Sequence, residues 1–397
     1  MAILFQWLLG LLAACLTLPV LTLALQVWLA RRGKEPRKPH ANAPARARMA
    51  VLVPAHNEQA VIQATLANLL PQLQPGDRLL LVADNCTDDT AQLARQAGAE
   101  VVERFHDNDR GKGFALDFGV RHLASQPPEV LVIVDADCQM SDGSLDAMAS
   151  LVQETGRPVQ ALDLMQAPEG AGLKTRIAEW AWRVKNQVRP LGWHRMGWPC
   201  QLMGTGMAFP WPMAKRMALA NGHLVEDMKL GADLALAGTP PVFCPQARVT
   251  SEFPVAVAAQ HSQRKRWEHG HLSMVFSLGP RVLWQGLKRR HLPTVAMALD
   301  MLVPPVALLG LLLAVLWLAA LGLAWVAGMA YLGPLVAATV LVGLFKLALW
   351  RTWWGWGRDL VSAGEWLQVP FYLLAKVPLY VGFLFRRQKA WVRTDRH

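Results

Sequence analysis

With 397 residues, 53% of them hydrophobic and only 17% charged, the chain falls short of the roughly one-quarter charged share of soluble domains. That excludes a disordered or collagen-like polymer and places part of the chain in lipid. The net charge of +11 would suit a nucleic-acid binder, but residues 31–48 hold seven basic groups against Glu35 and residues 386–397 hold five against Asp395. Both clusters lie beside apolar segments, as cytoplasmic flanks near anionic lipid do, and no basic, aromatic-interleaved stripe marks the rest, so no nucleic-acid partner is expected.

Residues 2–30 run apolar without a charge and then meet Arg31-Arg32-Gly33-Lys34. About 20 apolar residues span a bilayer, and a secretory signal needs a positive stretch before its apolar run. Leu12-Ala13-Ala14-Cys15 has the form of a lipoprotein cleavage box, but the apolar run continues well past it and the basic cluster follows instead of preceding. Residues 1–30 therefore read as an uncleaved anchor, N-terminus outside, with 31–47 a basic cytoplasmic linker. The five cysteines are oddly and widely spaced, with no CxxC or Cys/His zinc pattern, and read as reduced cytosolic thiols.

Between residues 48 and 255, apolar runs alternate with helical patterns. Met49–Pro54, Arg78–Ala83, Glu100–Glu103 and Val130–Val134 read as buried strands, with helices near 58–70, 89–97, 113–124 and 143–154. Such alternation predicts an α/β, Rossmann-like, mostly parallel sheet with helices on both faces, whose ligands bind beyond the carboxyl ends of the strands. Those ends carry Pro54-Ala55-His56-Asn57-Glu58, Asp84-Asn85-Cys86-Thr87-Asp88-Asp89 and Asp135-Ala136-Asp137. One polar cluster could be helix capping; three at successive strand ends point to a nucleotide site. Asp135 and Asp137, an i, i+2 pair leaving a strand, suit a hard divalent cation such as Mg²⁺ or Mn²⁺ bridging a diphosphate. Arg110-Gly111-Lys112-Gly113 opens a helix and offers amides and a cation to phosphate oxygens.

Residues 172–198, with Trp180, Trp182, Trp193 and Trp198, read as an interface helix and loop, since Trp favours the headgroup layer. Glu226-Asp227 starts another helix, where acids complement the dipole. Gln263-Arg264-Lys265-Arg266-Trp267 lies in a helical stretch, 257–277, within an interface region of 256–291. His269 and His271 follow and offer a third metal ligand, although interface polarity explains them as well. Residues 292–385 form the C-terminal membrane region: 299–327 and 329–350 are strong spans, while 364–385, with Glu365, Gln368, Lys376 and two prolines, is weaker. If the middle of the chain and the basic tail 386–397 are both cytoplasmic, an even number of spans separates them. That leaves 364–385 interfacial or re-entrant, or else residues 292–310, broken by Pro304-Pro305, add a half-span. Asp300 and Lys346 lie in or beside these spans; snorkelling to the interface is the simpler reading for both.

The ordered set Val53-Pro54-Ala55-His56-Asn57-Glu58, Asp84, Arg110-Gly111-Lys112-Gly113, Asp135-Ala136-Asp137, Glu226-Asp227 and Gln263-x-x-Arg266-Trp267 resembles the family-2 glycosyltransferases. The likeness is to the membrane-integrated branch of cellulose, chitin, hyaluronan and poly-N-acetylglucosamine synthases, and it covers roughly residues 48–290. It implies a GT-A fold and a nucleotide-diphosphate sugar donor, most often UDP-linked. It further implies that Ala55, Asn57, Glu58 and Asp84 contact the nucleoside, that Lys112 and Asp135 lie at the nucleotide sugar, and that Asp137 with Asp135 holds Mg²⁺ or Mn²⁺. Asp227 beside Glu226 would be the general base, and Gln263, Arg266 and Trp267 would line the acceptor end and diphosphate. Met203-Gly204-Thr205-Gly206-Met207 resembles the family's glycine-containing strand beside the acceptor. Val225 stands where the family often has Thr, and the spans are few for a self-contained translocation channel.

The expected activity is inverting transfer to a growing exopolysaccharide or capsular glycan by a multi-pass inner-membrane enzyme with its catalytic domain in the cytoplasm, surrounded by membrane lipid, as a homo-oligomer or with export components. Single-sugar transfer to a lipid acceptor, as by ceramide glucosyltransferases with a similar motif, and a non-catalytic subunit of an export complex are the alternatives.

Overall fold

The computed structural model describes residues 2–31, 46–220, 225–254 and 257–385. The linker at 31–47, apart from its ends, and the tail at 386–397 lie outside the described residues. The chain divides into two compact units. A helical unit takes the described parts of Met1–Arg32, Ala167–Trp198 and Val257–Gln388, and a sheet unit takes those of Gly33–Gln166 and Pro199–Ala256.

The sheet unit holds eight strands: β1 Met49–Ala55, β2 Arg78–Asp84, β3 Glu100–Arg104, β4 Val130–Ile133, β5 Gln139–Met140, β6 Val159–Gln166, β7 Met207–Pro210 and β8 Val242–Glu252. Their order is β3-β2-β1-β4-β7-β6-β8-β5. The run β3-β2-β1-β4 is parallel throughout, as the alternation predicts. Beyond it, β7 runs antiparallel to both β4 and β6, β6 and β8 are parallel, and β5 closes the edge antiparallel to β8. The sheet is thus mixed in its second half, where the sequence shows no run long enough to announce the short strand β7.

Strand periodicity decides the layers. Met49, Val51 and Val53 face the helices Ile62–Leu69 and Ser144–Thr155, whereas Ala50, Leu52, Leu80 and Val82 face the helix Lys112–Leu123. Each face buries a continuous apolar layer, worth about 1.5–3 kcal/mol per fully buried Val or Leu.

At the amino end of β1, Arg46 forms a two-pronged bond to Asp77, 3.1 and 2.6 Å, and also pairs with Asp146. The amides of Met49 and Gln74 donate to the same Asp77 carboxylate at 2.9 and 2.8 Å. Burial alone would raise the Asp77 pKa, but Arg46 and the two amides outweigh it and hold it below the ordinary carboxylate range. A carboxylate held down in this way stabilises the fold above its unfolded pKa of about 3.9. That contribution is lost as pH falls further through the folded value. Asp77→Asn is expected to lose about 1.5–3 kcal/mol at neutral pH and to close the gap to the parent protein in acid; denaturant unfolding of both proteins between neutral pH and pH 3 checks it.

The helical unit contains three helices long and apolar enough to cross a membrane: Phe5–Leu29, Val306–Ala327 and Leu332–Trp356, of 25, 22 and 25 residues. Large apolar side chains point outward from them, among them Trp7, Leu11, Val315, Leu318 and Val336, an arrangement suited to an apolar solvent. Residues 363–385 are not one span. They break into the short helices Ala363–Trp366, Val369–Leu374 and Val377–Phe385, and Lys376 pairs with Glu268 at 2.5 Å.

Two expectations about this unit are corrected. Asp300, on the helix Leu292–Met301, does not snorkel. It is buried and meets Arg189 at 2.7 Å, while Gln26 Nε2 donates to its carboxylate at 2.6 Å and Arg189 donates to Gln26 Oε1 at 3.2 Å. Lys346, by contrast, is exposed, as snorkelling requires. Trp180 and Trp193 are not free for a headgroup layer: both are buried within the unit, and Trp193 donates to the Ala296 carbonyl at 3.0 Å.

Candidate active site

The site is built at the carboxyl ends of β1, β2 and β4. After β1, Asn57 adopts a left-handed φ of 55°, and its side chain binds Thr87 both ways: Nδ2 donates to the Thr87 hydroxyl at 3.0 Å and Oδ1 accepts its amide at 2.7 Å. The Glu58 amide donates to Thr90 Oγ1 at 2.8 Å, and His56 Nδ1 meets the Asp84 carbonyl at 2.6 Å. These contacts tie the two loops into one rim, with Ala55 buried behind it. Asp84, at the end of β2, is buried and accepts from Arg104 at 2.6 Å and from Asn85 at 3.1 Å. Arg104 also lies over the Phe114 ring at 5.7 Å. The sequence reading missed Arg104. Only the structure shows the pairing, in which Asp84 and Arg104 close neighbouring parallel strands in register.

The second half of the site is a cleft lined by Lys112, Gly113, Gly204, Glu226 and Asp227, with an apolar wall that includes Met207, Leu219 and Leu230. Lys112 opens the helix Lys112–Leu123 behind Gly111, whose φ is 120°. Its ammonium pairs with Asp135 and donates to the Gly204 carbonyl at 2.8 Å. Burial alone would lower the Lys112 pKa, but the field of Asp135, Glu226 and Asp227 outweighs it and holds the ammonium charged above its ordinary range. Gly204 has φ 96°, a left-handed conformation that favours glycine, and its Cα lies against Asp227 Oδ2 and Lys112 Nζ, which a Cβ would meet at 3.4 and 3.9 Å. The next residue, Thr205, accepts the Asp135 amide through its hydroxyl at 3.1 Å.

Glu226 and Asp227 occupy the first turn of the helix Glu226–Leu236. Burial, and then the adjacent Asp227 charge, push the Glu226 carboxyl above its usual pKa. Asp137 stands two residues past Asp135, in the turn after β4, where the Cys138 thiol donates to it. Among the described residues, no three Asp, Glu, His or Cys side chains converge as a metal cage. An i, i+2 carboxylate pair nevertheless fits Mg²⁺ or Mn²⁺ bound to a diphosphate, because such ions take one or two carboxylates and complete their shell with phosphate oxygens and water.

Gln263, Arg266 and Trp267 belong to the helical unit, on the helix Val257–Ser277. Gln263 is buried, Arg266 is half-buried, and the Trp267 ring lies 4.9 Å from that of Trp182. His269 is engaged within that unit, donating to the Leu379 carbonyl at 3.1 Å and meeting Phe383 edge-on, and His271 is buried.

Residues 45–270 match the family described as "Glycosyltransferase like family 2". The chain belongs to this family and is a glycosyltransferase with a GT-A-type α/β unit. An uncharacterized glycosyltransferase of Mycobacterium tuberculosis is 31% identical over 196 residues, covering 46% of this chain and 84% of that protein. The 4,4'-diaponeurosporenoate glycosyltransferase of Staphylococcus aureus is 35% identical over 92 residues, 22% of this chain and 24% of that one. Among solved structures, the mannosyltransferase PcManGT of Pyrobaculum calidifontis, in complex with GDP-Man and Mn²⁺, shares the fold with a TM-score of 0.57 at 20% identity, covering 98% of this chain and 100% of that one.

Proposed function

We propose that the protein is a membrane-integrated, inverting glycosyltransferase that moves a sugar from a nucleotide-diphosphate donor, UDP-linked, to a growing exopolysaccharide or capsular glycan. The observation that carries this reading is the cleft in which Lys112 meets Asp135, Glu226 and Asp227 beside the rim built from Asn57, Glu58 and Asp84. The rim residues Ala55, Asn57, Glu58 and Asp84 receive the nucleoside. Lys112 and the first amides of its helix take diphosphate oxygens. Asp227 accepts the proton of the acceptor hydroxyl, and Glu226, whose proton is held more tightly, supports it. Asp135 and Asp137 would hold Mg²⁺ or Mn²⁺, which would supply charge neutralisation to the leaving diphosphate. Gln263, Arg266 and Trp267 serve the acceptor end and the diphosphate, and the three apolar helices set the enzyme in the inner membrane as a multi-pass protein with its sheet unit in the cytoplasm.

Single-sugar transfer to a lipid is the second reading. It is favoured by the apolar wall of the cleft and by the S. aureus relative, which is named for 4,4'-diaponeurosporenoate. Purified protein given a panel of UDP-sugars and GDP-mannose with Mn²⁺ separates these readings: a polymer ladder supports the first, and a single extractable glycolipid the second. Chelation by EDTA and the Asp137→Ala substitution are each expected to cut turnover by about 100-fold or more. Full turnover in EDTA together with an unimpaired Asp137→Ala enzyme would overturn the metal assignment, and failure to turn over or bind any donor would overturn the donor assignment.

A further inference from the structure

We propose that the helix Gly279–Lys288 and the turn after it form a docking face for anionic phospholipid. This rests on the membrane reading above. The helix is fastened on one side only: Gly279, Val282 and Gly286 are buried. The fit there is close, since a Cβ on Gly286 would lie 3.0 Å from Val295 and one on Gly279 would lie 2.9 Å from Leu302. Its other side carries two kinds of exposed group. Trp284 is 67% exposed and Leu287 55%, continued by Phe276 at 70% before the helix and Leu292 at 67% after it. Arg281, Lys288, Arg289 and Arg290 are exposed alongside them.

The spacing interleaves the two sets. Arg281, Trp284 and Lys288 stand at i, i+3 and i+7, which share one stripe of a helix, and Leu287 borders it three residues from Trp284. No carboxylate occurs in the sequence between Glu268 and Asp300, so every charged side chain in this stretch is basic or histidine. Trp, Phe and Leu beside Lys and Arg make a helix that lies in the interface plane, its apolar side chains between acyl chains and its cations among headgroups. Neutral lipid would satisfy the apolar groups alone; anionic lipid satisfies both. A second copy docking the same face would set four like charges against four.

The test uses the full-length chain in lipid nanodiscs, with a nitroxide at Trp284→Cys after the accessible Cys15 and Cys86 are changed to Ser, and a reference nitroxide at Val315→Cys on the helix Val306–Ala327. With phosphatidylglycerol present, the label at 284 is expected about 5–10 Å below the phosphates, and the label at 315 deeper. In pure phosphatidylcholine, or with Arg281→Gln, Lys288→Gln and Arg290→Gln combined, the label at 284 should move toward water by about half that depth or more while 315 stays in place. A wet label at 284 with a deep one at 315 overturns the docking face and spares the membrane reading; wet labels at both positions overturn the membrane reading itself. A depth at 284 indifferent to lipid charge and to the triple substitution overturns recognition of anionic headgroups. Spin–spin broadening at 284 would show a second copy on this face and also overturn the proposal.

Discussion

Asp227→Asn is expected to lower kcat by about 10²–10⁴-fold, the usual share of a positioned general base, while donor binding stays within a few-fold of the parent enzyme. The substitution keeps the shape of the side chain beside Gly204 and removes its capacity to take a proton. Loss of fold is a poor competing explanation, since a carboxylate in the first turn of a helix contributes only about 0.3–1 kcal/mol through the helix dipole. Glu226→Gln should cost less, because burial and the neighbouring charge already raise the Glu226 pKa. Initial rates with saturating donor, set beside calorimetric nucleotide binding, make the comparison. An Asp227→Asn enzyme within tenfold of the parent would remove Asp227 from the role of base.

The second large effect lies in the helical unit. Asp300→Ala leaves the Arg189 guanidinium buried without its partner and takes away the group that also receives the Gln26 amide. Breaking one side of a buried pair costs about 3–5 kcal/mol, whereas replacing both charges by apolar side chains of similar volume is often neutral or favourable. Asp300→Ala is therefore expected to depress thermal stability and yield sharply. The double variant Asp300→Leu, Arg189→Met should recover most of both, and Lys346→Gln, at an exposed position, should change neither. Thermal unfolding in detergent reads all three. Equal loss in the single and double variants would show that the pair acts through geometry that apolar side chains cannot supply.

The parallel half of the sheet was legible because its strands are buried on both faces and read as unbroken apolar runs such as Val51-Leu52-Val53 and Leu131-Val132-Ile133. The helix starts at 62, 90 and 144 were marked by polar strand ends, and that at 112 by Arg110-Gly111-Lys112-Gly113. Strands β5 and β7, of two and four residues, are too short to carry a period. The grouping of Lys112, Asp135, Glu226 and Asp227 was legible only through the ordered motifs that resemble the family, since Glu226 and Asp227 follow the antiparallel strand β7 and not the end of a parallel one. The Arg104–Asp84 and Arg189–Asp300 pairs were not. Each joins residues that local spacing cannot relate, 20 and 111 positions apart, and a lone charge near an apolar run looks the same whether it reaches for water or for a distant partner.

Arg189, Gln26 and Asp300 come from three widely separated stretches of one chain, with Gln26 and Asp300 274 positions apart. On the membrane reading proposed above, the helix Phe5–Leu29 enters the bilayer during synthesis with a side-chain amide whose carboxylate mate arrives only when residue 300 has left the ribosome. The order of assembly is thereby constrained: the anchor waits, the sheet unit can fold in the interim, and the last helices lock the first one in place. A nonsense codon anywhere before residue 300 would leave the anchor helix without the partner it was built to meet, a ready substrate for membrane quality-control proteases.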